Sequence, residues 1–362
     1  MLFESFNLAG IRLKNRLVRS ATYEKRADED GFVTDSLIEF YETLTKGGAG
    51  LIITGNALVH PSGRTITQMI CIHSDIYIRG LKRLTDAVHE LGGVIFIQLV
   101  HGGRQSLPVL LGGQMPMAPS AVFDPSTKVM PREMTDPEIW QMIDAFADAA
   151  RRARISGFDG VQIHGAHGYL VSEFLSPHTN RREDYWGGDE ERRFHFVEEL
   201  YRAIRREVGD DYQILIKMNA DDYLEGGLRP DEAVRIAKRL DALGIDAIEV
   251  SGGMYEAGKK TARTDILRIE DEAYFRDSAR LFKENINTPV ILVGGIRSKT
   301  VMEDILQKGD ADLISLSRPL IREPDLPERL REGKERADCI SCNGCMNFKK
   351  LDVVRCVQIG NG

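Results

Sequence analysis

Cysteine is scarce in this chain, with five in 362 residues. Their placement is uneven: Cys71 stands alone, while Cys339, Cys342, Cys345 and Cys356 crowd the C-terminal end. A secreted fold stapled throughout by disulfides is thereby excluded. Long apolar runs are also lacking. VIFIQLV at 94–100 is the longest, far short of the ~20 residues a membrane helix needs. MLFESFNLAG has no basic start leading into an apolar stretch, so no signal peptide is expected. Basic charge is in deficit, with 48 Lys and Arg against 55 Asp and Glu and a net charge of −7. That balance argues against a general binder of nucleic acid or membrane. The expectation is a cytoplasmic protein, in which clustered thiols ligate metal more often than they pair.

Short, largely apolar runs recur along the chain: RLVRSA (16–21), GLIITGN (50–56), VIFIQLVH (94–101), GVQIHGA (160–166), ILIKMNA (214–220), AIEVSGG (247–253), VILVGG (290–295) and LISLSR (313–318). Little alternation within them points to strands buried on both faces of a parallel sheet. Amphipathic stretches of helical period lie between them. PDEAVRIAKRLDALG, for example, opens on Pro-Asp and closes on Gly244, which are helix start and stop signals. Strand–helix units in this number predict a (β/α)8 barrel. A doubly wound open sheet is the alternative, weakened because no G-x-G-x-x-G follows an early strand. Residues 102–135 read as a long loop with a short hairpin, and 167–190 as a long polar loop after the fourth strand. The barrel is expected over 1–335 and a separate cysteine segment over 336–362.

A barrel places its chemistry at the C-terminal strand ends. The fourth strand runs into QIHGAHGYL, which sets His164, His167 and Tyr169 side by side. Two imidazoles three apart can ligate a metal, donate to a substrate oxygen, or simply be satisfied by backbone. Tyr169 is a phenol able to give up a proton. Gln98 and Lys217 stand at the ends of the third and fifth strands, where buried polar groups need partners. Gly294 and Gly295, with Ser317 and Arg318, follow the seventh and eighth strands, where barrels bind phosphate.

These residues together resemble the Old Yellow Enzyme family of FMN-dependent ene-reductases. The resemblance rests on IHGAHGYLVSEFLSPHTNRREDYWGGDEERR (163–193), FNLAGIRLKNRLVRSATY near the start, and IQLVHGGRQS. It implies a (β/α)8 barrel with FMN at its mouth. By resemblance, Gln98 meets the flavin pyrimidine edge and Lys217 the N1–O2 side. Gly294, Gly295, Ser317 and Arg318 hold the phosphate, and Ala21, Thr22 and Gly55 line the ring by backbone contacts. His164 and His167 bind a substrate carbonyl, and Tyr169 is the proton donor. Tyr23 departs from the family, whose members often carry Cys or Thr there.

The tail reads C-x2-C-x2-C-x10-C. It is similar to the [4Fe–4S] motif that follows this barrel in enoate and dienoyl-CoA reductases and in trimethylamine dehydrogenase. The last gap is a residue or two shorter than in those relatives. Four thiolates suit such a cluster or zinc. The expected function is reduction of the C=C bond of an α,β-unsaturated carbonyl, with electrons from NAD(P)H or from a redox partner protein through the cluster. The alternatives are amine oxidation with electrons leaving through the cluster, and a non-catalytic flavin and iron–sulfur relay. An oligomer is compatible with the sequence.

Overall fold

A computed structural model describes residues 1–359; the last three positions of the expected 336–362 segment lie outside the described residues. Eight parallel strands close into a barrel: β1 (Leu17–Arg19), β2 (Leu51–Leu58), β3 (Ile95–Val100), β4 (Gly160–Gly165), β5 (Gln213–Asn219), β6 (Ala247–Ser251), β7 (Val290–Val293) and β8 (Leu313–Leu316). Each coincides with one of the apolar runs, β2 extending two residues past its run and β5 starting one residue before it, and helices alternate with them. The barrel expectation holds and the open sheet is excluded, because β8 pairs with β1 through Ile314–Leu17, Ser315–Val18 and Leu316–Arg19.

The outer helices form where the start and stop signals lie. Asp136–Ile155 begins with a capping box in which Thr135 and Glu138 satisfy each other's backbone N–H groups. Pro230–Leu243 starts on proline, which has no N–H to lose there, and ends at Gly244 with φ of 87°. No helix among the described residues is long and apolar enough to cross a membrane.

The interior explains how a site arises at one end. A hairpin of Phe6–Leu8 and Ile11–Leu13 carries Leu8 and Leu13 into contact with an apolar interior cluster containing Val18, Phe96, Leu215, Ala247 and Leu313. Strand side chains repeat every two residues on one face. The next inward positions toward the strand ends are therefore Ser20, Gln98, Lys217, Glu249 and Ser315. An apolar layer gives way to a buried polar one within a single period.

Two loop expectations are refined. Residues 102–135 contain a two-residue parallel pairing, Met117–Ala118 with Arg132–Glu133, and between them a short antiparallel turn in which Asp124 bridges Val129. The 167–190 stretch contains the short helix Leu170–Leu175, wholly buried. Its apolar LV and FL pairs pack inward, which a count of polar residues over the whole loop conceals. The tail after Arg336 has no strand or α-helix among the described residues, only a tight 3-10 turn at Gly344–Met346.

Candidate active site

A cavity of about 560 Å3 opens at the strand ends, within the range of cofactor and ligand sites. Ala21, Thr22, Gln98, His164, His167, Tyr169, Lys217, Gly294, Gly295, Ser317 and Arg318 all line it. Gly55 is not among the lining residues. Its N–H donates to Glu24 Oε1 at 2.6 Å and to the Tyr41 hydroxyl at 3.0 Å. Asn56 lines the cavity in its place.

The floor is a hydrogen-bonded polar layer. Lys217 Nζ donates to Ser20 Oγ at 2.8 Å and pairs with Glu249 at 3.2 Å. Glu249, fully buried, accepts from Ser20 (2.7 Å), Ser315 (2.8 Å) and Gln162 (2.8 Å), and Gln162 accepts from Gln98 at 2.8 Å. Burial alone would raise the Glu249 carboxyl pKa, but Lys217 and the three donors outweigh it and hold the group below the usual carboxylate value. The cavity thus has a fixed ion pair beneath it. Sequence reading located Lys217 and Gln98 but not Glu249, Gln162, Ser20 or Ser315, although strand parity carries the signal for all four.

One wall holds the imidazoles and the phenol. The turn after β4 needs His167 and Gly168 in the left-handed region, with φ of 63° and 77°. The His164 and His167 rings stand at 89° with centroids 5.3 Å apart, and Tyr169 lies 4.9 Å from His164. His164 Nδ1 accepts the Ala166 N–H at 3.4 Å, so its proton belongs on Nε2. His167 is fixed by Ser251 Oγ on Nε2 at 2.7 Å and by Asn219 Oδ1 on its backbone N–H at 3.1 Å. Burial, then the neighbouring Lys217 charge, pushes the His167 pKa down to about 3. His164 is lowered well below its ordinary value by burial, then by His167 and Lys217. Burial raises the Tyr169 phenol. At neutral pH the wall is a set of uncharged donors beside one buried ammonium. Among the described residues no group of three or more His, Cys, Asp or Glu side chains is placed to hold a metal ion, the histidine pair included.

At the opposite end, Gly295 has φ of 70°, and a β-carbon there would lie 2.4 Å from Ile266 Cδ1 and 2.7 Å from Tyr274 Cε1. A side chain is excluded, and the backbone is left open for close approach. Thr22 Oγ1 and Ser317 Oγ are 2.8 Å apart. Arg318 is buried and donates to the Arg263 carbonyl at 2.7 Å and to Asn343. Arg297 also lines the cavity, and its buried Nε has no partner. Arg297 lies in the GGIRS string, where the glycines alone were singled out. Glycine backbone, hydroxyls and guanidiniums suit a phosphate, and the end-to-end donor set fits FMN.

The tail packs onto this mouth. Lys25 Nζ donates to the carbonyls of Phe348 (3.0 Å) and Leu351 (2.7 Å), and Val354 N–H donates to the Glu24 carbonyl. Cys339, Cys342, Cys345 and Cys356 are all free and border one small cavity of their own. Cys345 lines both this cavity and the main one. Burial, then Cys339, raises the Cys345 thiol to about 11. The thiols gather without closing into a metal-ligand set.

A closed parallel barrel with a polar-floored cavity at its strand ends has the plan of a barrel enzyme. The model of the NADH:flavin oxidoreductase / NADH oxidase family matches residues 1–337, and the chain belongs to that family. An NADH oxidase from Thermoanaerobacter brockii is 39% identical over 358 residues, covering 98% of this chain and 54% of the oxidase. An NADPH dehydrogenase from Geobacillus sp. (strain WCH70) is 39% identical over 329 residues, covering 90% and 92%. Among solved structures, a 2-naphthoyl-CoA reductase in complex with 2-naphthoyl-CoA gives a TM-score of 0.91 at 30% identity, covering 98% of this chain and 56% of that one. An Old Yellow Enzyme homologue from Zymomonas mobilis gives 0.81 at 28% identity, covering 94% and 95%. The chain spans about half the length of that NADH oxidase and of that CoA reductase.

Proposed function

We propose that the chain is an FMN-dependent oxidoreductase that takes electrons from NADH or NADPH and reduces the C=C bond of α,β-unsaturated carbonyl compounds. The observation that carries this reading is the meeting of uncharged His164 and His167 with the Tyr169 phenol above the Lys217–Glu249 pair. FMN, when bound, supplies the hydride that such a reduction needs. Ala21, Thr22, Gln98 and Lys217 would hold its ring, and Gly294, Gly295, Ser317 and Arg318 its phosphate.

His164 and His167 donate hydrogen bonds to the substrate carbonyl oxygen and stabilise the negative charge that develops there. Because both are neutral, their donor strength does not vary through the neutral range. Ser251 and Asn219 keep His167 in place, so the donors are set before the substrate arrives. Tyr169 gives its proton to the α-carbon. Its raised pKa keeps the phenol protonated.

We also infer that Cys339, Cys342, Cys345 and Cys356 bind a [4Fe–4S] cluster in the tail. All four border one cavity, and Cys345 adjoins the main site. Such a cluster would carry electrons to or from a partner protein; the proton and hydrogen-bond roles above need nothing from it. Tyr169→Phe should slow reoxidation of the reduced protein by 2-cyclohexenone about a hundredfold or more, with reduction by NADH unchanged. Equal reoxidation rates in the two proteins would remove Tyr169 as the proton donor.

A further inference from the structure

Arg318 is buried at the edge of the main cavity, and part of what points its guanidinium comes from outside the barrel. Its Nη1 donates to two oxygens, the backbone carbonyl of Arg263 and the side-chain Oδ1 of Asn343. Asn343 belongs to the cysteine motif CISCNGC, between the second and third thiols. Its amide works in both directions, because Nδ2 donates to the Ala262 carbonyl at 2.8 Å. One side chain therefore ties the loop after β6 (Thr261, Ala262 and Arg263) to the arginine after β8.

The residue type fits this task closely. Asn343 has φ of 57°, the left-handed region that asparagine tolerates better than most residues. Aspartate could accept from Arg318 but could not donate to Ala262, and its charge would cancel that of the guanidinium. Glycine would keep the backbone and lose both bonds. Arginine recognises phosphate through a planar fork, so its orientation matters as much as its charge. Arg318 can only donate, so the acceptors around it set its direction.

We infer that Asn343 is a positioning residue for the flavin phosphate: it aims Arg318, and so makes the cysteine motif part of the FMN-selective half of the site. This rests on the FMN reading above, with Arg318 as a phosphate ligand. The cysteine segment then has a role in cofactor selection that is independent of what its thiols bind.

Riboflavin, which lacks the phosphate, separates this role from a general structural one. The flavin-stripped full chain and Asn343→Gly are titrated with FMN and with riboflavin by flavin fluorescence. Loss of a charge-assisted bond that fixes the guanidinium should weaken FMN about tenfold and leave riboflavin within about twofold. Asn343→Asp should weaken FMN by at least as much, again with riboflavin unchanged. Riboflavin affinity serves as the internal measure of folding. An unchanged FMN-to-riboflavin ratio in Asn343→Gly, whether both affinities hold or both fall, overturns the inference. If the unaltered chain bound riboflavin and FMN equally, or bound neither, the phosphate-site reading itself would fail and this inference with it.

Discussion

Replacing Glu249 with glutamine probes the floor of the site directly. Glu249 is fully buried and lies 3.2 Å from Lys217 Nζ. At that separation and an effective dielectric constant of about 20, the attraction between the charges is about 5 kcal/mol. A glutamine oxygen can still accept from Ser20 and Ser315, so those hydrogen bonds survive in part. What remains is a buried ammonium with no counter-charge, a situation that typically costs about 3–5 kcal/mol. The assay is guanidinium unfolding of the flavin-free full chain, with free energies extrapolated linearly to water. Glu249→Gln should lose about 3–5 kcal/mol. Lys217→Met combined with Glu249→Gln should recover much of that loss, because no lone charge stays behind. A single-variant loss under about 1 kcal/mol, or strictly additive effects in the double variant, would refute the reasoning. The pH dependence has a definite sign. The folded carboxyl sits below its ordinary value of 4.5, so its contribution is complete above that value and is lost as the pH falls through the folded one.

Other outcomes follow from the same geometry. His167 is held neutral, with a folded pKa of about 3 against an ordinary 6.5. The unfolded chain therefore takes up this proton first on acidification, and stability falls between those values by about 1.4 kcal/mol per pH unit. His167→Asn should flatten the pH slope of the unfolding free energy by that amount in this window, and an unchanged slope would show that the imidazole is charged when folded. For the tail, anaerobically purified protein should contain iron and acid-labile sulfide in equal amounts beside FMN. Zinc without iron would replace the cluster by a structural ion.

Most of the architecture could be read because it rests on local signals. Apolar runs without alternation marked all eight strands, and Pro230 and Gly244 bounded their helix as expected. The site was legible where one short string carried it: His164, His167 and Tyr169 are consecutive in space because they are nearly consecutive in the chain. The polar floor was harder to see. Ser20, Gln162, Glu249 and Ser315 come from four separate strands, and each looks like an incidental polar residue until the barrel closes and aligns them. Gly55 lies outside the cavity lining for a related reason. Its string suggested a ring contact, but the buried Glu24 carboxylate captures its N–H. Asn343 was hidden inside a motif whose thiols drew the attention, although its amide is what reaches Arg318 at the edge of the main site.

The central claim concerns the direction of the chemistry at the His164–His167–Tyr169 wall. It is tested most directly by reducing the FMN-loaded protein with NADH or NADPH under anaerobic conditions, then mixing it with 2-cyclohexenone and following the flavin absorbance and the product. The account predicts that the oxidised spectrum returns at a rate that rises with enone concentration, with cyclohexanone formed in equal amount. Reduced flavin that stays bleached with the enone, while simple amines bleach the oxidised protein, would contradict it.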